Sequence, residues 1–148
     1  MPLSFYLCSK LFQMVYLTRK EHFNAAHRLR NEAWSDEKNE QVFGKCANKN
    51  WHGHNYDLYV TVKGAPDPDT GFIMNAKELS RIIKSEVVEV LDHKNLDLDV
   101  AVMKGKMSST ENLIKEIWKL LQAKIKGCEL HAIKLYETPN IYVEYFGE

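Results

Sequence analysis

Alternation and helical spacing of apolar residues divide the chain into four strands and two helices. From Met14 to Arg30 the text MVYLTRKEHFNAAHRLR is extended in character, and Asn55 to Lys63 alternates cleanly, with Tyr56, Leu58, Val60 and Val62 on one face. The polar stretch between them, NEAWSDEKNEQVFGKCANKN, is long enough to carry function or to wrap a neighbour. GAPDPDTG, Gly64 to Gly71, is a cluster of chain breakers. Asn75 then predicts a helix cap, with Glu78 as its capping-box partner and a stripe of Leu79, Ile82, Ile83, Val87, Val90 and Leu91. Ser108 and Glu111 repeat the device before a second helix, which runs to about Lys126 on Leu113, Ile114, Ile117, Trp118, Leu121 and Ile125 and is ended by Gly127. Leu130 to Glu137 and Ile141 to Phe146, joined at Thr138-Pro139-Asn140, predict the closing hairpin. The order is ββααββ: an α+β chain with a four-stranded antiparallel sheet and two helices.

Two helices cover one face of such a sheet and leave the other face and both edges open. Strands with apolar residues assigned to both faces therefore predict a homo-oligomer, since joining sheets edge to edge removes the edges. Composition narrows the partners. The chain has 148 residues, with 20 Lys plus Arg against 20 Asp plus Glu, which gives no electrostatic reason to expect nucleic acid or an anionic membrane. With 45% hydrophobic residues a folded core is expected and disorder is excluded as the main description. Cys8, Cys46 and Cys128 are an odd number without a CxxC pair, so a reducing, cytoplasmic setting fits better than a disulfide framework. The first seventeen residues are apolar but interrupted by Ser4, Ser9, Lys10 and Gln13, too broken for a membrane span, and residues 1–13 read as a loose leader before a single domain, 14–148.

The chemistry concentrates around Cys46-Ala-Asn-Lys-Asn-Trp-His52-Gly-His54. On an extended segment His52 and His54 project to the same side, and Gly53 between them removes bulk. If the first strand pairs beside the second, His27 supplies a third imidazole, and three histidines with an open fourth position describe a catalytic zinc site. An HxH pair alone is more often hydrogen-bonding surface or core than metal ligand, and His27 beside it shifts that balance; His22 and His131 have no partner and read as structural. Cys46 is a candidate nucleophile or general base, or else an inert buried thiol. Asp92-His93 has the parts of a proton relay, although neighbouring side chains on a regular element point apart. Glu137, in phase with Ile133 and Leu135, faces inward, where its carboxylate needs hydrogen-bond donors.

Six blocks in fixed order, FNAAHRL around His27, FGKCANKNWHGHNYDL around Cys46, DPDTGFIMN, LDHKNLD, SSTEN and LYETPN around Glu137, together resemble the 6-pyruvoyl-tetrahydropterin synthase family from about Met14 to Glu148. The resemblance implies the T-fold, with sheets joined into a trimeric barrel and trimers stacked into a homohexamer. It implies a cytoplasmic lyase of tetrahydrobiopterin biosynthesis that converts 7,8-dihydroneopterin triphosphate to 6-pyruvoyl-tetrahydropterin and releases triphosphate. By position, His27, His52 and His54 would hold Zn2+, Cys46 would be the general base served by Asp92 and His93 across a subunit boundary, and Glu137 would anchor the pterin with Thr110 and Glu111 nearby. Arg28, Lys45 and Lys49 are candidate cations for the triphosphate. Trp51 departs from the family, which usually has a small residue there. Two alternatives share the fold: a 6-carboxy-tetrahydropterin synthase, whose cysteine usually stands closer to the HGH motif, and a zinc- or pterin-binding module without catalysis, which would not need Cys46, Asp92 and His93.

Overall fold

The computed structural model describes residues 13–148, so all but Gln13 of the leader lies outside the described residues. β1 (Val15–His27) and β2 (His52–Gly64) are long antiparallel strands, followed by β4 (Glu129–Thr138) and β5 (Ile141–Tyr145) on one side. On the other side lies β3 (Lys94–Asn95), a two-residue strand parallel to β1. The sheet therefore has five strands in the order β3-β1-β2-β4-β5, where the sequence predicts four, all antiparallel. Two residues cannot display a period of two, which is why β3 leaves no pattern to read.

Helices occupy one face. α2 (Ala76–Ile83), a π-helical turn (Lys84–Val88) and α3 (Glu89–Leu91) form the predicted run to Leu91, with Ile83, Val87 and Leu91 buried at spacings of four. Asn75 caps it by accepting from the Lys77 backbone N–H, whereas Glu78 pairs with Arg81 instead of returning to the cap. α4 (Thr110–Gln122) packs on β4 and β5. Its cap is Ser109, not Ser108, and it ends four residues before the predicted Lys126, because the amides of Lys124 and Ile125 both turn back to the Leu121 carbonyl.

The polar stretch after β1 holds a helix the apolar pattern misses, α1 (Asp36–Phe43), capped by Ser35. It has no apolar stripe. Its one buried residue is Asn39, whose amide donates to the Asn31 and Ser35 carbonyls and accepts from the Asn31 N–H. Hydrogen bonds hold this helix where hydrophobic burial holds the others.

The core takes Phe23 and Ala25 from β1, Tyr56, Leu58, Val60 and Val62 from β2 and Ile133 and Leu135 from β4, all on the helix side. The opposite face is not the apolar surface the sequence suggests. It carries Lys20, Asp57, Thr61 and Lys134 beside a run of tyrosines, Tyr59, Tyr136 and Tyr142, in ring contact. Among the described residues no helix is long and apolar enough to cross a membrane.

Candidate active site

The β1–β2 register sets His27 opposite His52 and Ala25 opposite His54. Paired residues project to the same face, so the three imidazoles share the inner face at the end of the sheet. One ring nitrogen from each lies within 4.8 Å of the others, and His27 Nε2 is 3.1 Å from His52 Nε2. Two nitrogens bound to one tetrahedral zinc stand about 3.3 Å apart, close to that separation. Gly53 serves the other face: a Cβ there would meet the Ala25 carbonyl oxygen at 3.3 Å, so its smallness lets β1 approach.

His27 is fully buried and donates from Nδ1 to the Ser108 carbonyl at 2.7 Å, which leaves the Nε2 lone pair facing the cluster. Ser108, read as a helix cap in the sequence, instead orients the His27 ring. Burial pushes the pKa values of His52 and His54 below the ordinary imidazole range, the neighbouring His27 adds to this, and Glu137 opposes it. Neutral rings keep their lone pairs free for a metal.

Four buried side-chain atoms here lack hydrogen-bond partners among the described residues: His52 Nδ1, His54 Nε2, the Tyr56 hydroxyl and Thr110 Oγ1. Orphaned polar atoms are costly in a closed core and fit a site that binds something. Tyr56 went unnoticed in the sequence as anything but core, although it continues the two-residue spacing of His52 and His54. Burial, and then Glu137, push its phenol pKa up, so it stays protonated.

Glu137 faces the same point. The β4–β5 register slips between Tyr136 and Thr138, which makes Glu137 the extra residue of a bulge, and its Oε1 lies 3.4 Å from His27 Nε2 and 3.5 Å from His54 Nε2. Thr110 is buried on the first turn of α4, whereas Glu111 is exposed.

Cys46 sits half-buried in a 3-10 turn, Gly44–Ala47. That turn is strapped to the residues after His27: Leu29 N–H donates to the Cys46 carbonyl at 2.8 Å and Arg28 Nε donates to the Ala47 carbonyl at 2.9 Å. Asp92 and His93 do pair, contrary to the expectation for neighbours. His93 has φ 57°, and this left-handed turn swings its Nδ1 to donate to Asp92 Oδ2 at 2.7 Å. Asp92 Oδ1 accepts from the Asn24 backbone N–H, and that bond, followed by the one from His93, holds the Asp92 carboxyl below its usual range. His93 is largely exposed, and within this chain no hydrogen bond joins the pair to Cys46 among the described residues. Arg28, Lys45 and Lys49 line one cavity of about 680 Å³, with Arg30, Asp36 and Glu40.

A sheet covered by helices on one face, with three imidazoles converging at its end, defines an α+β protein with a candidate metal centre. The family model described as 6-pyruvoyl tetrahydropterin synthase matches residues 16–148, and the chain belongs to that family. It is 46% identical over 132 residues to the 6-pyruvoyl tetrahydrobiopterin synthase of Pongo abelii, covering 89% of this chain and 91% of that one. It is 46% identical over 134 residues to the Dictyostelium discoideum protein of the same name, covering 90% and 97%. The solved 6-pyruvoyl tetrahydropterin synthase of Caenorhabditis elegans superposes with a TM-score of 0.85 at 35% identity, covering 93% of this chain and 98% of that one.

Proposed function

We propose that this chain converts 7,8-dihydroneopterin triphosphate to 6-pyruvoyl-tetrahydropterin with release of triphosphate, that zinc is the metal of the three-histidine cluster, and that the active form is a cytoplasmic homohexamer. The observation that carries this reading is the convergence of three imidazoles, with burial favouring the neutral form of His52 and His54, beside the Cys46 turn in a chain of this family. His27, His52 and His54 would hold the ion, an all-nitrogen set that suits zinc and leaves a fourth position open. Zinc bound there would polarise substrate oxygens and stabilise negative charge that develops on them.

The chain's own residues divide the remaining work. Glu137, beside the histidines, accepts hydrogen bonds from the pterin's 2-amino and N3 positions, and buried Thr110 borders the same space. Glu111, exposed, is at most a peripheral contact. Cys46 as thiolate takes a proton from the substrate side chain, triphosphate leaves with its electron pair, and Asp92–His93 of a neighbouring subunit moves the proton onward. The reaction is an internal rearrangement and needs no nicotinamide or flavin. Arg28, Lys45 and Lys49 bring cationic charge to one cavity next to the Cys46 turn, where the triphosphate would be met. The uncovered sheet face, with its tyrosines and its β5 edge, supports assembly in threes into a barrel.

Five residues between Cys46 and His52 favour the pyruvoyl reaction over the carboxy one. Incubating the zinc-loaded protein with dihydroneopterin triphosphate and weighing the product by mass spectrometry tests this directly. Formation of 6-carboxy-tetrahydropterin, or no conversion, would overturn it.

A further inference from the structure

We propose that Asp97 is a positioning residue for the metal centre, and that Trp51 is its working partner. Asp97 touches none of the three histidines. Its Oδ2 instead accepts two hydrogen bonds at once, from the Arg28 backbone N–H at 2.9 Å and from the Trp51 indole Nε1–H at 2.9 Å. Arg28 follows His27 directly and Trp51 directly precedes His52. One carboxylate oxygen therefore ties together the chain leaving one ligand and the chain entering another, at the end of the β1–β2 ladder where the pairing His27↔His52 is its last rung.

Asp97 is itself held. Leu96 N–H donates to the Ala26 carbonyl, Asn95 Oδ1 accepts from Asp97 N–H, and Asp99 Oδ2 accepts from Asn95 N–H, so the turn hangs from β1 through β3. The same turn follows Asp92 and His93, which makes Asp97 the joint of three segments: two that carry ligands and one that carries the acid-base pair.

Trp51 shows why the joint is needed. Its φ is 60°, a left-handed conformation uncommon for a bulky side chain, and it persists where surrounding contacts over-determine it. Here the indole reaches sideways to Asp97, and the backbone reversal at Trp51 aims His52 into the cluster. Without the bond the reversal is free to relax, and the ladder end frays at both ligands together.

The inference rests on the reading of the three histidines as metal ligands, and the test separates the two. Metal-free full-length protein is titrated with cobalt(II), which reports ligand geometry by its visible absorption, with affinity read by chelator competition and folding checked by thermal unfolding. D97A is expected to bind cobalt about 10–100-fold more weakly with an altered visible band. W51F, which keeps an aromatic ring of smaller size and loses the donor, should shift the same way by less. D97N should lie closer to wild type than D97A, because its amide oxygen can still accept both bonds. Folded D97A and W51F with wild-type affinity and spectrum would overturn the inference, as would a D97N as weak as D97A. If D97A fails to fold, W51F decides. A wild-type chain that takes up no cobalt would overturn the metal reading and this inference with it.

Discussion

The two ends of the inner sheet face obey one alternation and carry opposite chemistry. At one end Leu58, Val60, Val62 and Ile133 pack against the helices and carry no polar side-chain atom to satisfy. At the other, the same spacing delivers His27, His52, His54, Tyr56 and Glu137, and the orphaned polar atoms gather there. Secondary structure decides where a side chain points; only its identity decides whether that point is core or site. The apolar end carries stability and the polar end, bordered by the Cys46 turn, carries reactivity at a cost to stability.

Four measurements test this contrast. The largest effect is expected at Cys46. Cys46→Ala should lower turnover by about 10²–10⁴ with zinc content, assembly and substrate affinity unchanged, since loss of a general base costs about that much. Single-turnover kinetics beside a binding isotherm would show it. An alanine variant at the wild-type rate would move the proton transfer to His93.

Leu58→Ala should do the reverse, lowering the unfolding free energy by about 2–5 kcal/mol, as fully buried leucines do, while metal affinity per folded molecule is preserved. His54→Ala is its counterpart: it should abolish stoichiometric zinc yet leave the metal-free protein about as stable as wild type, because it removes a buried nitrogen that had no partner. Denaturant melts of both variants, with and without zinc, test the division.

Glu137→Gln should weaken neopterin binding by roughly 1.5–3 kcal/mol, the worth of hydrogen bonds to a charged acceptor, with little change in unfolding. Calorimetry decides it, and unchanged affinity would return Glu137 to a structural role.

The smallest effect concerns pH. His52 and His54 have folded pKa values below the ordinary 6.5, so the unfolded chain binds more protons in the window beneath 6.5. Stability of the metal-free protein should therefore be highest above that value and decline as pH falls below about 6.5, before most carboxylates titrate. Glu137 opposes both shifts and keeps the decline modest. Thermal melts across that range check the sign, and removal of His54 should flatten the slope.

Much of the site was legible in the text because short-range rules reach it. A two-residue spacing is enough to align His52 with His54, and the phase of Ile133 and Leu135 is enough to turn Glu137 inward. Tyr56 shows the limit of that rule, since the pattern that marks it as core is the one that carries it into the site. α1 was missed because Asn39 holds it by hydrogen bonds, which leave no apolar period to read.

Local periodicity and capping set the long strands, the run to Leu91, the α4 stripe and the shared face of His52 and His54. Tertiary packing settles which strand lies beside which, and with it the meeting of His27 and His52 across 25 residues. It alone placed β3 at the edge, turned His93 back onto Asp92 through a left-handed backbone, and set Asp97 between Arg28 and Trp51. Those contacts join segments far apart in the chain or hinge on a single dihedral angle. No periodicity encodes either, and both exist only once the packed core fixes where the segments end.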